Sequence, residues 1–335
     1  MGNNFLYRRI TKGQDNVTGT LAEPEGAPEP RFALQSTISW MRALALLTDS
    51  DEFAHENLES LYKSVDKSTN LSDAAANTMF EQLLMSLHHL SSLKAIEDTS
   101  NKYDVFRMGI VTWYYGVYCA ASAMIAACEG AQQQDHSGTA NAWDRQIASR
   151  GFAPYPFNLR LTTMVEKDAK AEIEFIRDGQ AFSLPNYPTE KSEAHGVCVS
   201  YLSGSREYFS WILRESLKRK ELKKLGLSDF RTKVAKELRD SRLHGKSLGF
   251  INQAFRYRGK ANYRDALFLS YDASNSIDRN DQYAIDLTLV LTAFLKMAGA
   301  YCSRRVGSKS WELYCDDLDE NLVISTKPCD LWKRA

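Results

Sequence analysis

The sequence predicts a mainly α-helical protein, and three observations carry that prediction. From Asp73 onward the apolar residues Phe80, Leu83, Leu84, Leu87, Leu90 and Leu93 recur at steps of three and four, the spacing of one helix face. Met108 to Cys128 runs without a charged side chain, as a core helix does. Asp281 to Arg304 forms a third long pattern, with Ile285, Leu289, Phe294 and Leu295 among its apolar residues. With 335 residues, 44% of them hydrophobic and 25% charged, the chain has the composition of a folded globular protein of one large domain or two ordinary ones.

In chain order, residues 12–32 are rich in Gly, Pro and Glu and aperiodic, and read as a mobile arm. Ser36 to Leu47 is a short amphipathic segment. Ser72 or Asp73 caps the leucine-patterned helix, and the apolar helix at 104–128 follows after a short break, so the two are expected to pack antiparallel. Residues 130–163 read as a long connection with a short helix near Trp143. In 164–193 the stretch AEIEFIRDG fits a strand or a helix end, and SLPNYP fits a loop. Helix resumes at 196–224, with Tyr201, Tyr208, Phe209, Ile212 and Leu213 as candidate buried positions, and breaks at Gly226. Ser228 then fits an N-cap, with Phe230, Val234 and Leu238 stepping down a helix that ends at Gly245. Phe250 to Tyr257 leads into RGKANYRDALF and the last long helix. After Gly307, WELYC and NLVIST flank the acidic turn DDLDE and read as a small C-terminal β-hairpin. The expected organisation is an N-terminal extension (1–70), a helical domain (71–305) and a tail (306–335).

Met108 to Cys128 is also nearly long enough to span a bilayer. Trp113, Tyr114, Tyr115 and Tyr118 crowd its middle, where their polar tips would lack partners in lipid, so it reads as a core helix and no membrane association is expected. Lys296 interrupts the other apolar run, Ile285 to Ala300. The first residues, MGNNFLYRRI, lack the apolar stretch of a secretory signal, and the six cysteines show no C-x-x-C spacing. A cytoplasmic chain with reduced thiols is the expectation.

Lys plus Arg and Asp plus Glu both number 42, so the formal charge is zero and neither a uniformly basic coat protein nor an acidic solvating tail fits. The charge is unevenly spread. From Arg214 to Arg264 there are sixteen Lys and Arg against five acids, a local charge of +11 within a remainder of −11. Such a segment is a plausible phosphate-binding footprint, and a solvated helix face paired with the acidic remainder would look the same. Acidic parts of the chain would also be placed to cover a confined basic site.

Inside the basic segment Arg239 and His244 are separated by four residues. A His beside an Arg can move a proton to or from a ribose hydroxyl while the guanidinium holds phosphate charge, and no cofactor or metal is required. On a regular helix, residues five apart point about 140° away from each other. To share one phosphate, the helix must end or distort between them, or a second copy must complete the site. Other motifs are bland: His88 and His89 fall in the leucine pattern, His195 has no triad-like neighbour, and Asp316, Asp317, Asp319 and Glu320 do not match a calcium loop. No Gly-rich phosphate loop, H-E-x-x-H or G-x-S-x-G occurs.

The helix bearing Tyr114, Tyr115, Tyr118, Ala120 and Ala121, the His136–Gly138 loop, and Arg258, Ala261, Asn262 and Tyr263 before a long apolar helix together resemble the HEPN family of helical domains. The resemblance covers about 180 residues in broken pieces. It implies a HEPN-like helical bundle that dimerises, with residues 150–227 as an insertion. In ribonuclease members of that family, an Arg-x4-6-His motif from each subunit cuts RNA without metal. Carried over by position, this implies Arg239 for phosphate and transition-state stabilisation, His244 for acid–base work, and Asp240 to orient the Arg. Arg242, Lys246, Lys236, Arg256, Arg258 and Lys260 are the candidate nucleic-acid contacts. In a second register the Arg258–Tyr263 segment takes the place of the Arg/His site. The expected function is a metal-independent endoribonuclease, a toxin or antiviral effector with RNA as its partner. The alternative is a non-catalytic helical module that is antitoxin-like, regulatory or RNA-binding, and in either case a regulatory or antitoxin protein is a candidate partner.

Overall fold

The computed structural model describes residues 30–66, 71–130, 135–262 and 277–332. Most of the arm read over residues 12–32, together with Tyr263 and Arg264, lies outside them. Eleven α-helices are described: α1 (Pro30–Thr48), α2 (His55–Tyr62), α3 (Asp73–Glu97), α4 (Lys102–Glu129), α5 (His136–Gln146), α6 (Glu166–Arg177), α7 (Lys191–Leu217), α8 (Lys233–His244), α9 (Phe250–Asn262), α10 (Ile277–Val306) and α11 (Ser308–Asn321). The mainly α class holds. No strand is formed among the described residues beyond a single antiparallel bridge, Leu161 to Leu248.

The centre of the bundle is α4. Asn101 caps its start by accepting from the Tyr103 amide, and Gly130 ends it in a left-handed conformation at φ 70°. It packs against α3, α5, α9 and α10. Ser86 on α3 donates to the Gly116 carbonyl, and Ala75 lies beside Gly130, so positions equidistant from the 98–101 turn meet and the two helices run antiparallel. On the opposite side a Cβ at Gly116 would fall 2.5 Å from a Leu291 methyl, so the absence of a side chain there sets how closely α10 approaches. Lys102–Glu129 and Arg279–Val306 are each long and apolar enough to cross a bilayer by length and composition, Lys296 notwithstanding. Their most apolar windows are 72% and 67% buried in the bundle, the setting of core helices.

The first described helix differs from the sequence reading. It is buried almost all round from Thr37 to Thr48 rather than on one face. Trp40 stacks on Tyr201 of α7 at 4.1 Å and meets Trp113 and Tyr257, wedging α1 between α7 and α10. A buried polar seam fixes it there: Arg42 pairs with Asp286 at 2.9 Å, and the Tyr257 hydroxyl, which bonds Tyr283, donates to the Thr37 carbonyl. Burial raises the Asp286 pKa, and Gln282 and Arg42 work against that rise.

The expected C-terminal β-hairpin is not formed, because WELYC and DDLDE lie on α11. Trp311, Cys315 and Leu318 are its buried residues, spaced four and three apart, and Tyr314 stacks on Phe80 at 4.5 Å. One helical face is thus buried on α3 and α10, an outcome that the alternation in WELYC concealed. AEIEFIR is helical too, within α6. The cap of α8 is Thr232, whose hydroxyl accepts from Ala235, rather than Ser228, and Val234 is 60% exposed. Ile212 is also exposed, while Tyr201 is buried.

Candidate functional site

The three sequence pieces that carry the family resemblance meet in space. His136 is the first residue of α5, and that turn is set by Asp135, whose Oδ1 accepts from the Gly138 amide at 2.6 Å. The Tyr114 hydroxyl lies 2.7 Å from His136 Nδ1. From α9, Arg258 Nη1 donates to the Tyr115 hydroxyl at 3.2 Å and lies 3.5 Å from His136 Nε2. Its guanidinium also sits over the rings of Phe255 and Tyr114, at 4.9 and 5.1 Å from their centroids. Tyr118 closes the aromatic wall at 4.7 Å from His136.

Arg258 is only 7% exposed, and its Nε has no hydrogen-bond partner. No carboxylate pairs with it among the described residues. A buried guanidinium held by tyrosines, a histidine and a phenylalanine carries charge that no carboxylate among the described residues neutralises, and buried charges are ordinarily paired. Arginine can only donate, so where it approaches Nε2 that atom accepts, and Nδ1 carries the proton toward Tyr114. Burial, and then the Arg258 charge, hold the His136 pKa below its ordinary value, with Asp135 opposing them. A neutral imidazole beside a guanidinium can take a proton from a nucleophile while the cation holds an anion. Burial likewise pushes the Tyr114 phenol up, so it stays protonated.

The lowered His136 pKa gives stability a pH dependence. Below the ordinary imidazole pKa, about 6.5, the unfolded chain binds more protons than the folded one. Stability is therefore fully present above that value and is lost as pH falls through the folded pKa. His89, also lowered by burial, adds the same sign. An NMR titration of the His136 ring is expected to give a midpoint below that of an exposed imidazole, moving upward in Arg258→Met. A midpoint unmoved by that substitution would mean that Arg258 does not act on the ring.

The predicted pair, Arg239 and His244, is arranged differently. Helix α8 runs unbroken from Lys233 to His244, so Gly245 lies beyond the pair rather than within it. Arg239 and His244 therefore point about 140° apart, and within one chain they do not converge. Arg239 is engaged bidentately by its neighbour Asp240, at 2.7 and 3.0 Å, and that hydrogen-bonded pair raises its pKa. His244 is exposed at the helix C-terminus, where a cationic side chain suits the dipole.

The basic segment rides on a small satellite core of Leu217, Leu222, Phe230 and Ala235. All five of its acids are used internally: Glu215 with Lys218, Glu221 with Arg242, Asp229 with Arg231, Glu237 with Lys233 and Asp240 with Arg239. Among the described residues no ion pair links the segment to the acidic remainder. Arg219, Lys220, Lys223, Lys224, Lys236 and Lys246 are exposed and form no ion pair among the described residues. Of the other predicted contacts, Arg242 is exposed and paired with Glu221, while Arg256, Arg258 and Lys260 turn inward. Arg256 donates to Ser205 at 3.0 Å and covers Tyr201 and Tyr208, and Lys260 also lies over Tyr201.

Among the described residues, no three His, Cys, Asp or Glu side chains come together as metal ligands. No protein-family model, curated protein or solved structure matches the chain. Sequence reasoning had Arg258 among the phosphate contacts and His136 in a family motif, without joining the two. The Asp-His-Ser-Gly run, a capped helix start, was the local signal for the histidine's placement.

Proposed function

We propose that this protein is an RNA-binding, HEPN-like helical protein that cuts RNA by metal-independent Arg/His chemistry. The observation that carries the reading is the basic surface from Arg214 to Lys246, whose five acids are spent inside the segment and whose remaining cations face solvent. In this reading RNA phosphates lie along that surface. The reacting groups are Arg258 and His136, which already meet within one chain, with Arg258 holding phosphate charge and His136 taking the proton of the attacking hydroxyl. Arg239 and His244 act as a pair only if a second copy brings one to the other, which is the dimer reading of the same family resemblance.

The 93% burial of Arg258 favours a second reading, a module that binds RNA without cutting it, because little of the guanidinium is open to a polymer backbone. Incubating the pure protein with RNA in EDTA separates the two. Cleavage is expected in EDTA, abolished in His136→Ala and retained in His244→Ala. Intact RNA bound with a steep salt dependence would establish the second reading. Cleavage lost in His244→Ala and Arg239→Ala but kept in His136→Ala would move the centre to α8.

A further inference from the structure

Far in sequence from the basic segment, a cleft of 670 Å3 opens between α2, the second half of α10, the start of α11 and the C-terminal turn 329–332. Its volume is that of a site for a small organic molecule. Phe53, Tyr62, Trp311 and Trp332 supply aromatic walls. The placing of Trp332 is specific. Its Nε1 donates to the Leu295 carbonyl at 3.0 Å, and it sits so close over Gly299 that a Cβ there would fall 2.1 Å from that nitrogen. Trp311 and Trp332 meet at 5.1 Å.

Lys296 also lines the cleft, half-buried on an otherwise apolar stretch of α10 between Leu295 and Met297. Among the described residues it makes no hydrogen bond or ion pair. Arg304, on the same wall, donates from Nε and Nη2 to the Val65 and Lys63 carbonyls and meets no carboxylate among the described residues. Three acids line the cleft, all exposed: Glu59 faces His55 at 3.3 Å, Asp330 accepts from the Lys327 amide, and Glu56 lies in the first turn of α2. The acids are exposed, then, and the half-buried charge is an ammonium with no partner among the described residues. Withdrawing a lysine from water without a partner is costly, and a bound anion removes the cost.

We propose that this cleft binds a small organic anion with a flat apolar body, such as an aromatic carboxylate. The body lies on the floor to which Tyr62, Trp311 and Trp332 contribute their few exposed atoms, and the anionic group meets Lys296. The site is separate from the RNA-binding surface and does not depend on it.

The test titrates the full chain with 8-anilinonaphthalene-1-sulfonate, an aromatic anion, and with neutral 1-anilinonaphthalene, exciting the tryptophans and reading probe emission. The wild type is expected to bind the sulfonate saturably with one site. Lys296→Met is expected to weaken it about tenfold or more while leaving the neutral probe unchanged. Lys296→Arg, which keeps the charge, is expected to retain binding, and Ser303→Trp, which fills the cleft, to lose both probes. The proposal is overturned if the sulfonate does not saturate, if Lys296→Met binds it as the wild type does, or if Lys296→Arg loses it as fully as Lys296→Met. Circular dichroism of each variant shows that the fold is intact.

Discussion

Replacing Lys220, Lys223 and Lys224 together by Glu is expected to lower RNA affinity by roughly a hundredfold at low salt and to flatten its salt dependence. The three residues are exposed on the π-helical and 3-10 turns that follow α7, and none pairs with an acid among the described residues. Each cation placed on a phosphate releases counterion, so removing three should lower the slope of log affinity against log salt by about two on a single strand. Reversal adds repulsion to that loss. Folding should be spared, because the satellite core beneath is made by Leu217, Leu222, Phe230 and Ala235, none of which changes. Affinity and slope are read by fluorescence anisotropy with a labelled single-stranded RNA at several salt concentrations. If both stay at wild-type values, RNA does not lie on this surface. The same Lys-to-Glu replacement at Lys167, Lys191 and Lys309, which are exposed and lie outside the segment, controls for non-specific charge effects.

That surface was legible in the sequence as a charge count, and the count left one question open. Sixteen cations against five acids could have been neutralised by the −11 remainder. Only the pairing decides, and it falls within the segment: Glu221 reaches Arg242 across 21 positions, while Glu215, Asp229, Glu237 and Asp240 reach neighbours at most four away. Position along the chain also misled about direction. Arg256, Arg258 and Lys260 look like a continuation of the basic run, yet all three lie against tyrosines or phenylalanine. A charge count is blind to such burial, because long cationic side chains lay their stems and heads on aromatic faces.

The long helices were readable because period 3.6 survives in Phe80 to Leu93 and in the capped ends of α3 and α4. Two elements were misread for opposite reasons. In α11 the alternating WELYC offered a strand pattern, and the wider spacing of Trp311, Cys315 and Leu318 won because it buries a continuous face. In α1 a one-sided pattern hid a helix buried all round, since Thr37, Ser39 and Thr48 look polar in sequence but lie inside. Thr48 satisfies its hydroxyl on the Leu44 and Ala45 carbonyls of the same helix. As for the candidate site, His136 and Arg258 are 122 residues apart and come together only because α5 and α9 both pack on α4. No local spacing encodes that meeting.

Arg258→Met should raise or preserve thermal stability while abolishing whatever RNA chemistry or anion binding the centre performs. The argument starts from the charge. Arg258 is 7% exposed, and among the described residues its Nε is unpartnered and no carboxylate balances it, so its burial costs desolvation that Tyr115, His136 and the aromatic faces offset. Methionine has a similar volume, is flexible enough to pack against Phe255 and Tyr114, and removes the charge. Replacing a buried charge by a well-packed apolar side chain is often neutral or stabilising by about 1–4 kcal/mol. The Tyr115 hydroxyl it releases is half-buried and can turn to water, so that loss is small. A residue kept at a cost to stability is one whose charge is needed for a ligand, and loss of function with gain of stability is the mark of that trade. Thermal unfolding by circular dichroism, read beside phosphate and RNA titrations of the same variant, decides. A melting temperature that falls by several degrees would make Arg258 a structural residue holding α9 to α4, and the reacting centre would have to be sought elsewhere.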